Sequence, residues 1–129
     1  MAQVTAYGFQ ETAKLLTAKS GTAFSYMAVG TGTTAEGPAV SALVYEITAS
    51  GLSRTSCTVN TATSVTLGDT ATFVNTWTAT GSYNVQEAGV LNSSASGALL
   101  CYATFSSAVP MASADTLQIT WSVRAETGV

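Results

Sequence analysis

The segment TLQITWSVR, Thr116 to Arg124, restricts the fold more than any other stretch. Leu117, Ile119, Trp121 and Val123 alternate there with Thr116, Gln118, Thr120, Ser122 and Arg124. A period of two sends one set to each face of an extended chain, which predicts a half-buried antiparallel strand. TATFVNTWTA repeats the arrangement, with Ala71, Phe73, Trp77 and Ala79 opposite Thr70, Thr72, Thr76 and Thr78. LLCYATF places Leu99, Cys101, Ala103 and Phe105 on one face. AFSYMAV, LSRTSCTVN, ATSVTL and YNVQEAGVL are the remaining expected strands.

Turn signals separate these segments: Gly68-Asp69, Gly81-Ser82, the NSSASG loop from Asn92 to Gly97, and Pro110 through Asp115. Strands so spaced, rich in Thr and Val, predict an all-β fold, an antiparallel β-sandwich or small barrel over residues 22–125. No linker divides the 129 residues, so 1–129 reads as one domain.

GFQETAKLLTAKSG is the single helical segment, expected over 8–20. Gly8 is the expected N-cap, Glu11 falls in the first turn, Lys19 in the last, and Gly21 at the stop. Phe9, Ala13 and Leu16 form one stripe. A helix this short needs its stripe docked, either on its own domain or as a contact helix on a partner.

Charged residues make up only 9%, against about 25% in an ordinary soluble domain. A polar surface with so few charges does little to keep copies apart, so it is expected to be covered by neighbours in an assembly. The net charge is −3, and Lys14, Lys19, Arg54 and Arg124 are scattered, so nucleic acid is not an expected partner. The start, MAQVTAYGF, has no basic leader, and no run approaches the roughly 20 apolar residues that span a bilayer. No membrane association is expected, and the protein is expected to be made and kept in the cytosol. Cys57 and Cys101 match no metal spacing and read as buried thiols, or as a bridge in an oxidising medium.

FSYMAVGTGTTAEGPAV, from Phe24, satisfies the G-x-G-x-x-G/A spacing at Gly30, Gly32 and Ala35. That fingerprint holds a pyrophosphate only when a helix begins at the glycines. Gly37 and Pro38 stand where its first turns would be, so GTGTTAEGP reads as a flexible surface loop and no nucleotide is expected. With no histidine, a Ser-His-Asp triad cannot be built. Paired carboxylates remain among Glu36, Glu46, Asp69, Glu87, Asp115 and Glu126, most of them in or beside turns. No catalytic residue, cofactor or metal site is expected.

Glu87 shares strand parity with Tyr83, Val85 and Leu91, and a carboxylate on an apolar face needs a partner. Arg54, beside Leu52, is the expected one, in a structural Arg54–Glu87 pair between strands; otherwise both are rim residues. Phe73, Trp77, Phe105 and Trp121 are the expected core aromatics. Trp77 and Trp121 with Tyr26, Tyr83 and Tyr102 could instead form a sugar-stacking platform, but their regular parity favours core packing.

YMAVGTGTTA, GLSR, VQEAGVLN, LLCYATFS and DTLQITW, in that order, resemble a group of small virion proteins of tailed bacteriophages. The likeness covers nearly everything from Phe24 to Trp121, and its specificity lies in the five blocks together. Similar sequences occur as free-standing head or tail proteins and as modules near the start of tail fibres. The resemblance implies a β-rich, non-enzymatic virion component in which the positions of Arg54 and Glu87 are typical. Cys57 and Cys101 depart from the pattern, and the sequence stops soon after its last strand, so it is expected to act as a complete protein.

Three functions then compete. The first is a capsid decoration, or cement, protein, expected to be a homotrimer assembled in the host cytoplasm, that ties major capsid subunits together. The second is a tail or tail-fibre component whose loops GTGTTAEGP and NSSASG meet a host glycan. The third is a glycan-active enzyme, which needs two carboxylates about 5 to 10 Å apart across a cleft.

Overall fold

The structure, a computed structural model, describes residues 3–65 and 67–125. Its elements run β1 (Gln3–Val4), α1 (Ala6–Leu16), β2 (Tyr26–Gly30), β3 (Thr55–Ser56), β4 (Thr58–Ala62), β5 (Thr70–Thr78), β6 (Tyr83–Leu91), β7 (Leu99–Met111) and β8 (Thr116–Arg124). Every strand pair is antiparallel. One sheet has the order β1-β7-β6-β2-β3 and the other β4-β5-β8. The fold is an all-β sandwich with one short N-terminal helix. Residues 55–62 change sheets around Cys57, whose N–H donates to Ser25 O at 2.8 Å.

Between the sheets, Met27, Val29, Val85, Ala88, Val90 and Cys101 meet Phe73, Trp77 and Trp121. Burying large side chains of this kind stabilises by about 1.5–3 kcal/mol each. Phe105, expected in the core, is only partly buried and packs against its margin. TLQITWSVR and YNVQEAGVL form strands with the expected ends. Along β8 the expected inward set is the less exposed one.

The outer face of the larger sheet is buried as well. Ala28, Leu43, Leu91, Leu99 and Tyr102 make a second cluster beneath the connection between β2 and β3. Both faces of β6 and β7 are therefore apolar, and simple alternation fails there. A register shift between Val90 and Leu91 also puts Leu99 on the opposite face from Cys101, not with it.

Three expected elements differ. Of the described residues of ATSVTL, only Ala62 belongs to a strand. The Asp69 carboxylate accepts the N–H of Ser64 at 2.8 Å and of Val65 at 2.9 Å, folding that stretch into a turn. The Pro110 turn is instead the end of β7, paired with Asn84. Proline is tolerated because β1 pairs only as far as Tyr102, leaving the far part of β7 on an edge where no ladder N–H is needed.

The helix starts and stops earlier than 8–20. Thr5, not Gly8, is the N-cap: its Oγ1 accepts the Gly8 N–H at 3.0 Å and donates to Leu99 O. Gly8 is buried for a different reason, since an added Cβ would lie 2.8 Å from Leu100 Cα. Glu11 is outside the first turn, and Lys14, not Lys19, is the basic residue of the last. The helix docks through Gly8, and the stripe of Phe9, Ala13 and Leu16 is turned outward, contrary to docking on its own domain.

Candidate functional site

Two carboxylates flank Gly30. Glu87 pairs with it from β6, and Glu46, in the connection between β2 and β3, bridges it from the other side. Glu87 is 0% exposed. Its Oε2 accepts the Tyr102 hydroxyl at 2.7 Å and the Val44 N–H at 3.1 Å, and its Oε1 accepts the Tyr45 N–H at 2.8 Å. No basic side chain of the described residues bonds it. Three donors replace the water that a buried carboxylate has lost.

The glycines that mimic a nucleotide turn make room for this group. An alanine Cβ at Gly32 would lie 2.6 Å from Glu87 Oε2, and one at Gly30 would strike Oε1 and Tyr45 O. The G-x-G spacing therefore seats a carboxylate of the same chain. Burial first, and then the Glu87 carboxylate beside it, push the Tyr102 phenol well above the usual tyrosine range.

Arg54 is not the partner of Glu87. Its Nε and Nη2 each donate to a Glu46 oxygen at 2.7 Å, a two-pronged pair. Its Nη1 donates to Ser93 O at 3.0 Å and Ser96 O at 2.7 Å. The expected Arg54–Glu87 pair is thus replaced by two separate locks on either side of Gly30. A register shift between Val85 and Glu87 turns Glu87 away from the face that Val85 occupies, toward the outer cluster.

GTGTTAEGP is pinned at several points, not free. Thr31 N–H donates to Tyr45 O at 3.0 Å, Ala6 N–H to Pro38 O at 2.8 Å, and Thr104 N–H to Glu36 Oε1 at 2.8 Å. NSSASG is closed by Ala98 N–H on Asn92 Oδ1 at 2.7 Å and by Arg54. Glu126 lies outside the described residues. Asp115 accepts the Ala112 N–H at 2.9 Å in a turn.

Glu46, considered only as one of several carboxylates, and Tyr102, considered only as a stacking or core aromatic, take partners that the sequence did not indicate, Arg54 and Glu87. Tyr102 carried a signal, because it alternates with Cys101 and so falls on the face toward which Glu87 turns. Glu46 carried none beyond its charge. The aromatics form no platform: Trp77 and Trp121 are core, and Trp77 Nε1 donates to Ser53 O at 3.0 Å.

Two shallow hollows adjoin Arg54. One of about 370 Å³ is lined by Ser53, Thr55, Asn75 and Trp77, and one of about 360 Å³ by Glu46, Thr48, Ser94 and Ser96. No three His, Cys, Asp or Glu among the described residues stand together as a metal site. No described helix is long and apolar enough to cross a membrane. Cys57 and Cys101 are free thiols, with β2 and β6 between them. Three strand spacings of about 4.8 Å put their backbones far beyond the roughly 7 Å limit for a disulfide. Burial pushes the Cys101 thiol up to about 12.

Several large apolar side chains among the described residues are exposed. Phe9 is 65% and Leu16 83% exposed, with Tyr7 and Leu15 half out beside them. A second exposed group comprises Val59, Val65 and Leu67. No family model, curated protein or solved structure matches the chain.

Proposed function

We propose that this chain is a non-enzymatic structural protein of a phage virion, a capsid decoration protein that binds the outside of the major capsid shell and strengthens it. The observation that carries this reading is the helix face. Phe9 and Leu16 stand out from an 11-residue helix whose docking is done by Gly8. Apolar surface of this kind, on a chain with 9% charge, suits contact with another protein. Glu87, Glu46 and Arg54 meanwhile hold loops in place. The resemblance of the five sequence blocks to small phage virion proteins points the same way. A homo-oligomer bridging several capsid subunits would resist shell loss by avidity, since many contacts must break at once.

The test is to mix purified protein with expanded shells that lack it. The protein should co-sediment with the shells and raise the temperature at which they come apart. A Phe9→Ser, Leu16→Ser double variant should fold normally and bind them more weakly. Binding to tails or host cells, with no affinity for shells, would overturn the reading.

The second reading, a tail or tail-fibre component that meets a glycan, has one observation in its favour. The hollow of about 360 Å³ presents Glu46, Arg54 and the hydroxyls of Thr48, Ser53, Ser94 and Ser96, groups that sugars can bond. Glycan binding abolished by Ser94→Tyr would favour it over decoration.

A further inference from the structure

The strand β4 is anomalous. All five of its residues, Thr58 to Ala62, are exposed, so neither face is covered. Val59 stands opposite the buried Phe73 and is itself 44% exposed. Within the chain β4 is held by a single ladder, to β5. Strands are ordinarily stabilised by burial of at least one face, and an open edge is a template for another strand.

The other sheet edges are shorter, interrupted or covered on one face. β1 and β3 are two residues each. Beyond β1, the edge of β7 is closed by Glu36 on the Thr104 N–H and by Pro110. β8 has Gln3 and Val4 beside its end, where they share a hollow of about 190 Å³ with Trp121 to Arg124, and unlike β4 it keeps one face less exposed, that of Leu117, Ile119, Trp121 and Val123. β4 has no charge, no proline and no shift in register, and among the described residues no strand pairs with its outer edge.

We propose that β4 pairs antiparallel with β4 of a second copy across a two-fold axis, joining the two three-stranded sheets into one. Charge permits a second copy as the occupant. Each copy carries −3, so most approaches of one copy to another set acids against acids. From Thr55 to Gly68 there is no charged residue, and two such ribbons meet without repulsion. A strand facing itself across a two-fold is self-complementary by construction. Val65 and Leu67, the latter 90% exposed, extend the contact past the end of the ladder. The ribbon is smaller than the roughly 20–30 residues a side of a standard interface, so the dimer dissociates in the micromolar range.

This pairing deepens the self-association in the decoration reading but depends on no feature of a shell. Light scattering on the intact chain up to about 100 μM should show a mass rising from monomer to dimer. Val59→Lys with Thr61→Lys, both at exposed positions, should raise the dissociation constant at least about tenfold with an unchanged circular dichroism spectrum. In a Cys57→Ser background, Thr58→Cys, Val59→Cys, Asn60→Cys, Thr61→Cys and Ala62→Cys should be oxidised one at a time. Cross-linked dimer should peak at the position on the axis. A monomer at about 100 μM, a trimer indifferent to the lysines, or uniform cross-linking would overturn the pairing. Shell binding by a monomer would overturn it and leave the decoration reading standing; a β4-linked dimer that ignores shells would do the reverse.

Discussion

Glu87 organises its surroundings through steric fit as much as through charge. Its seat exists because Gly30 and Gly32 lack side chains, so Gly30→Ala should cost about 1–3 kcal/mol by overpacking against Glu87 and Tyr45. Tyr102→Phe removes one of three donors from a buried carboxylate and should cost about 1.5–3 kcal/mol. Urea unfolding checks both, and a cost below about 0.5 kcal/mol for either would contradict the seat. Cys101 gives a test in pH. An unfolded thiol ionises near about 8.5, whereas the folded one holds its proton to about 12. The unfolded chain therefore loses protons first, and stability falls as pH rises through that interval. Cys101→Ala should flatten the alkaline decline measured by urea unfolding between those limits; an unaltered slope would contradict it. The need of Glu87 for a partner was legible in the sequence, since it sits among apolar residues. The partner's identity was not, because two of its three donors are backbone N–H groups, which leave no mark on side-chain type.

At the scale of elements, the locks on either side of Gly30 hold the connection between β2 and β3 against the larger sheet. Arg54→Met leaves Glu46 and two loop carbonyls without their donor and should cost about 1–3 kcal/mol. Hydrogen exchange should quicken at residues 92–98 and be unchanged in β5 and β8. Faster exchange spread evenly over both sheets would mean that Arg54 does not act locally. Thr5→Val removes the helix cap and the anchor to Leu99 together, and should cost about 0.5–2 kcal/mol. The strands with one solvent face, β5 and β8, were legible from period alone. β7 was not, because its outer face is covered by α1 and the β2–β3 connection, and its bulge moves Leu99 across the sheet. The helix was misplaced because Gly8 looks like a cap in sequence, while its role is close approach to Leu100.

For the molecule as a whole, strong internal locks coexist with exposed surfaces that include the apolar α1 face and the uncharged β4 ribbon. That division is what a building block needs: a fixed shape, and surfaces left for neighbours. The alternation made the sandwich readable. Which surfaces stay open was not readable, because exposure depends on how α1 and β4 sit against the rest. The decoration reading is met most directly by electron microscopy of phage particles assembled in cells that make a tagged copy of this protein, counting copies and locating them. Hundreds of copies in a regular array on the outside of the head are expected. A handful of copies confined to the tail, or none on the particle, would contradict it.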